Sequence, residues 1–179
     1  MHAMTPRERQ EGAALIVSLL LLTVLTLIGL TSARTTRLET IMATNAKESA
    51  IAFEAAEAAV RDAEQFVENV VAVTAFDGNG GLFSEDDADP DYYDSSSWGA
   101  SNSQAYSGTF PEVATQPRYI VKYVGTFTNE VVAKTAIGIG DYGNKKVEQE
   151  VSLFRITTRG TGRNDSSRVL IQTYYGKVF

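Results

Sequence analysis

From Gly12 to Ala33 the chain runs 22 residues without a single charge, and this run begins only at the twelfth residue. A hydrocarbon core of about 30 Å needs about 20 apolar residues at about 1.5 Å each. Ala13 to Leu30 (AALIVSLLLLTVLTLIGL) supplies 18 of them, so this stretch can span a bilayer. No proline occurs between Pro6 and Pro90. One helix could therefore run from about Ala13 to about Val70, roughly 85 Å. Arg7 and Arg9 precede the apolar stretch and Arg34 and Arg37 follow it, so the basic flanks alone do not set its orientation.

Three readings of this segment compete. It can be a plain single-pass anchor. It can be a secretory signal cleaved at Ala33, because Thr31-Ser32-Ala33 has the small residues such a site uses. Its apolar run is longer than a signal usually carries, and the helical pattern resumes directly after it. Or a short leader, residues 1–12, is cut away after Gly12 and the apolar segment is kept. The last is favoured by Arg7-Glu8-Arg9-Gln10-Glu11-Gly12 before the apolar run, which resembles the start of a type IV pilin. Leu38-Glu-Thr-Ile-Met-Ala-Thr-Asn-Ala-Lys47 and Ala52-Phe-Glu-Ala-Ala-Glu-Ala-Ala-Val-Arg-Asp-Ala-Glu64 closely resemble PilX-type minor pilins. So do Phe154-Arg-Ile-Thr-Thr-Arg-Gly-Thr-Gly162 and Ser167-Arg-Val-Leu-Ile-Gln-Thr173.

The resemblance implies cleavage by prepilin peptidase between Gly12 and Ala13, methylation of the new amine, and residence in the bacterial inner membrane before export into a pilus. It implies other minor pilins and the major pilin as partners, with a tip adhesin as a further candidate, and links to adhesion and twitching motility. Most pilins carry Glu at the fifth mature position, where Val17 stands here, and Phe rather than Ala13 at the first. PilX-type pilins share the missing Glu, as do tip pseudopilins of type II secretion. A carboxylate in hydrocarbon is unfavourable unless paired. A subunit without one needs no partner amine, which implies a low-copy place near the filament tip. The alternatives are a type II secretion tip pseudopilin and a secreted soluble domain released at Ala33.

The chain divides by pattern into the leader (1–12), a transmembrane half of the helix (13–33), an amphipathic half (34–73), an acidic variable region (74–117) and a C-terminal sheet (118–179). Beyond the membrane segment, Leu38, Met42, Phe53, Val60 and Val67 fall with several alanines on a three-to-four spacing. This stripe is expected to pack on the sheet, with a coiled-coil dimer as the alternative. Arg118–Val124, ended by Gly125, reads as a strand. Glu130–Lys134 is a weak extra strand, residues 135–147 a glycine-rich loop, and residues 151–175 a hairpin around the turn formers of 160–166. The fold class is α+β: one long N-terminal helix, half transmembrane and half amphipathic, packed on a small antiparallel, pilin-like sheet.

Charge is split along the chain. Residues 62–117 hold eleven acidic and no basic side chains, whereas residues 118–179 hold ten basic and five acidic ones. Solvated loops beside an ordinary basic sheet surface explain this. So does head-to-tail complementarity between subunits, or a partner on the acidic loop. Within that loop Asp77-x-Asn79-x-Gly81 opens like a calcium-binding EF-hand, but Leu82 replaces the turn glycine and Ala88 the bidentate Glu. Asp87, Asp89, Asp91 and Asp94 lie close enough for an irregular calcium site, although the reading taken is no cofactor. Tyr92, Tyr93 and Trp98 either pin the loop to the core or anchor a partner.

There is no Cys, and the only His is His2 in the leader. A disulfide framework and a His-based triad are thus absent, and the chain is read as a non-enzyme. Arg155, Arg159, Arg163, Arg168 and Lys177 raise the question of DNA, which is not expected to bind directly.

Overall fold

The structure is a computed structural model that describes residues 11–132 and 146–179. Residues 135–145 of the expected glycine-rich loop and most of the leader lie outside the described residues, and the last two of that loop, 146 and 147, belong to a strand. Two units are distinguished, one ending at Asn45 and one spanning Ala46–Phe179, and helix α1 (Glu11–Asn69, 59 residues) contributes to both.

In the first unit α1 is rich in Leu and Ala, strong helix formers, which offset its glycines and its many Thr and Ser residues. The apolar side chains from Leu15 to Leu30 are exposed. The hydroxyls among them are not left over. Ser18 donates to the Leu15 carbonyl (2.9 Å), Thr23 to Leu20 (2.8 Å) and Thr31 to Leu27 (2.8 Å). A polar group satisfied inside its own helix costs little in an apolar surrounding. The helix is long and apolar enough to cross a membrane.

In the second unit the end of α1 lies on a mixed sheet. Strands β3 (Arg118–Val132), β4 (Lys146–Thr161) and β5 (Arg168–Lys177) run antiparallel in that order. The short β1 (Leu82–Phe83) joins β3 in parallel, and β2 (Gln104–Ala105) joins it antiparallel. The expected first strand does not stop at Gly125. It passes through a bulge there, with Gly125 at φ +137°, and continues to Val132, taking in the start of the weak strand expected from Glu130. Residues 133 and 134 of that weak strand lie outside the described residues.

Alternation along β4 sets which residue faces what. Phe154, Ile156, Thr158 and Gly160 share one parity and face the helix. A Cβ on Gly160 would stand 2.1 Å from the Ala52 carbonyl oxygen and 2.5 Å from the Ala56 nitrogen. A Cβ on Gly162 would stand 2.6 Å from a Glu48 carboxylate oxygen. Opposite them Ala52, Ala55, Ala56 and Ala59 are fully buried. The strand backbone thus lies against the helix backbone, and Thr158 Oγ1 donates to the Ala56 carbonyl (3.1 Å). Farther along, the gap fills with larger groups: Ala63, Val67, Phe76, Tyr119, Val121, Phe154 and Ile156 form one core.

The helix face that meets the sheet is therefore only part of the expected stripe, Ala56 and Ala63 being fully buried there. Val67 is buried and Val60 half-buried, but Phe53 is 46% exposed, and in the first unit Leu38 and Met42 are 60% and 62% exposed. The physical reason is the close approach at Gly160: only methyl-sized side chains fit between the two backbones, so alanines take the sheet and Phe53 is turned away.

The C-terminus of α1 has no basic residue in its own last turn. Lys177 of β5 supplies the missing charge, its Nζ donating to the carbonyls of Val67 (3.1 Å), Glu68 (2.5 Å) and Val70 (2.5 Å). This satisfies orphan carbonyls and opposes the negative end of the helix dipole.

Gly160→Ala is expected to destabilise the Ala46–Phe179 unit by about 3 kcal/mol, because backbone rather than a flexible side chain must give way. Gly29→Ala, with no neighbouring atom within 4 Å of its new Cβ, leaves the unfolding midpoint of that unit unchanged. Thermal unfolding of both variants followed by circular dichroism measures the difference.

Candidate functional site

The opposite face of the sheet is built from the other parity: Arg118, Ile120 and Lys122 on β3, Arg155, Thr157 and Arg159 on β4, Arg168 and Leu170 on β5. The segment from Ser84 to Pro117 covers this face. Ile120 and Thr157 are buried beneath it. Arg118 Nε donates to Ser103 Oγ (2.6 Å) and its guanidinium also meets the Ser103 carbonyl, which fastens the chain after β1 onto β3. Lys122 Nζ meets the Asp89 carboxylate at 2.9 Å, and Arg155 pairs with the same carboxylate. Arg163 pairs with Glu112, and Thr161 and Thr115 exchange hydrogen bonds at 2.8 and 3.1 Å. On the helix side Asp62 accepts from the Ser107 amide (2.9 Å).

The split of charge along the sequence is therefore closed in part within the chain: Asp89 and Glu112 of the acidic segment pair with basic residues of the sheet region. Its aspartates act one by one. Asp87 accepts from the amide and hydroxyl of Ser84 (2.7 and 2.8 Å), Asp91 from the Tyr93 amide (2.9 Å) and Asp94 from the Ser96 amide (2.9 Å). Hydrogen bonds from Ser84 hold Asp87 below the usual carboxylate range; Ser96 does so for Asp94. The Lys122 hydrogen bond does the same for Asp89, with Arg155 adding to it. The candidate grouping of Asp87, Asp89, Asp91 and Asp94 around one ion is not seen. Among the described residues no set of three or more acidic or His side chains is placed to hold a metal.

The aromatics divide. Trp98 is 5% exposed; its Nε1 donates to the Tyr92 carbonyl (2.9 Å), and the Arg159 guanidinium lies 5.9 Å from its ring centre. Trp98 pins the loop. Tyr92 is half-buried beside it, its ring centre 6.4 Å away. Tyr93 is 89% exposed and remains a surface aromatic. The terminal basic residues do not make one patch: Arg155, Arg163 and Lys177 have in-chain partners, while Arg159 and Arg168 border a cavity with the three aromatics. Sequence reasoning had Arg159 and Arg168 in a basic hairpin and missed their meeting with Trp98. Strand parity carries that signal, since 159 on β4 and 168 and 170 on β5 fall on one face.

Residues 11–61 match the family model for the PilX N-terminal segment, and residues 74–177 match that of the type IV pilus assembly protein PilX C-terminal region. The chain belongs to the PilX family. No curated protein and no solved structure matches it significantly. As a PilX-family minor pilin it has a role in pilus assembly. The close helix–strand contact straddles the two PilX matches: Glu48, Ala52 and Ala56 fall in the first, Gly160 and Gly162 in the second. The PilX C-terminal match also takes in the loop that covers the sheet.

Asp89, with its folded-state pKa lowered, contributes stability that is present above the ordinary value of 3.8 and is lost as pH falls through the lower folded value. Asp89→Asn is expected to flatten this acid limb. It also leaves Lys122 and Arg155, whose side chains are only 14% and 17% exposed, without that carboxylate, at a cost of about 1 kcal/mol at neutral pH. Emission of Trp98 followed from neutral pH to below 3.8 in both proteins checks the two effects.

Proposed function

We propose that this protein is made as a membrane-inserted precursor, cut by prepilin peptidase between Gly12 and Ala13 and methylated at the Ala13 amine. It then joins other minor pilins and the major pilin to prime or cap a type IV pilus near its tip. The observation that carries this reading is the uncharged helical run with Val17 inside it: its side chains are exposed and its hydroxyls bonded within the helix. Such a surface suits lipid before assembly and the helices of neighbouring subunits after it. With Val17 in place of the usual Glu, nothing in the run demands a partner charge, which supports a terminal place.

The helix face also supports it. Leu38, Ile41 and Met42 in the first unit and Phe53 in the second are exposed. In this reading they pack against other subunits, and adhesion and twitching motility follow from the filament. Membership in a family of pilus assembly proteins favours this over a type II secretion pseudopilin.

Intact mass and N-terminal sequencing of the protein from membrane and sheared-filament fractions test the proposal. The expected product begins at methylated Ala13. A chain beginning at Arg34 would overturn it in favour of a secreted domain, and an uncut chain would leave only an anchor. A Gly12→Glu variant is expected to stay uncut and to be lost from filaments.

A further inference from the structure

On the covered face of the sheet a cavity of about 300 Å³ lies between the turn carrying Tyr92, Tyr93 and Trp98 and the strand residues Arg159, Arg168 and Leu170. Its walls combine two features that the packing of the loop does not need. One is a pair of guanidinium groups. Arg159 donates no side-chain hydrogen bond to any described residue; its contact is the face of Trp98. Arg168 uses its Nε on the Asp165 carbonyl (2.6 Å), and its terminal nitrogens donate to no described residue. Burial lowers the Arg159 pKa first, and the Arg168 charge adds to that, with Asp165 acting in the opposite sense. Two like charges at one opening, only partly offset by one carboxylate, favour an anion. The other feature is a set of flat apolar walls, with Tyr93 exposed at the rim.

Size narrows the choice. About 300 Å³ is at the small end of ligand cavities. A guanidinium prefers a carboxylate, which it can bind in a fork, and aromatic faces prefer a ring. The acidic segment of a second copy is a poor occupant, because Asp87, Asp89, Asp91 and Asp94 each accept hydrogen bonds within their own chain. We propose that this cavity is a binding site for a small carboxylate carried on a six-membered ring, the carboxylate held by Arg159 and Arg168 and the ring set against Tyr92, Tyr93 and Trp98. The ring can belong to a sugar acid or to an apolar acid.

Trp98 is the only tryptophan in the chain and lines this cavity, so its emission can report binding there in a protein that stays folded. The full-length protein in detergent is titrated with glucuronate and with cyclohexanecarboxylate; glucose and cyclohexylmethanol are the uncharged counterparts. A saturable change with at least one carboxylate and none with its counterpart is expected, and the carboxylate that binds more tightly identifies the ring. Arg168→Gln, a substitution at an exposed side chain, is expected to weaken binding about tenfold or more while circular dichroism stays that of the native protein. Tyr93→Ser, at a side chain 89% exposed, is expected to weaken it severalfold. A flat response to both carboxylates in the folded protein would overturn the proposal. So would equal binding of the uncharged rings, or undiminished binding in both variants.

Discussion

Backbone-to-backbone contact between α1 and β4 is the constraint on which the rest of the Ala46–Phe179 unit depends. The strand comes so close at Gly160 that a single methyl group there would collide with the Ala52 carbonyl oxygen. Everything nearby is consistent with that distance. The helix offers alanine at 52, 55, 56 and 59, all fully buried. Thr158 spends its hydroxyl on the helix, and the Arg163 amide donates to buried Glu48 at 2.7 Å. Small residues contribute little apolar area each, so the tight end is held by complementarity and hydrogen bonds. The wide end, around Phe154 and Val67, supplies the hydrophobic burial. Lys177 then closes the helix terminus from the last strand, tying the final strand to the end of the helix.

The second consequence falls on the other face of the sheet. With the helix occupying one side, Ile120 and Thr157 on the other would be open to water without a cover. The Ser84–Pro117 segment provides it with little regular structure of its own. It is fastened by individual polar contacts, Arg118 to Ser103 and Lys122 and Arg155 to Asp89, and by one buried aromatic, Trp98. A layer held this way can change in sequence while the helix and sheet beneath it stay the same. It also creates a cavity where its aromatic turn stops short of Arg159 and Arg168.

Much of this was legible in the sequence. The long helix followed from the uncharged run, the absence of proline and the continuing periodicity; the terminal hairpin followed from β-branched and aromatic runs around turn formers. What was misread has physical causes. Of the stripe expected on the sheet, Ala56, Ala63 and Val67 are buried but Phe53 is turned away, because a close helix–strand contact selects for the smallest side chain. Gly160 and Gly162 looked like turn residues, and Gly160 instead lies in the strand with its missing Cβ as its function. The strand expected to end at Gly125 passes through it as a bulge. The charge split between residues 62–117 and 118–179 was read as a surface matter. Parity relates Arg118 to Lys122 and Arg155 to Arg159 within their strands, but the register that brings the two pairs onto one face and the segment that covers it are long-range contacts that no local pattern encodes.

The helix thus has two employments along its length: alanines committed to the sheet, and larger apolar residues left for other surroundings. The measurement that tests this most directly is amide hydrogen exchange of the full-length protein in detergent, resolved by peptide across the Ala46–Phe179 unit. The account predicts that amides from Ala52 to Ala63 and those of β4 from Ile156 to Thr161 exchange slowest there and open together, as one cooperative unit. It would be contradicted if residues 52–63 exchanged like an exposed, fraying helix while β4 remained protected, because the strand would then hold its structure without the helix against it.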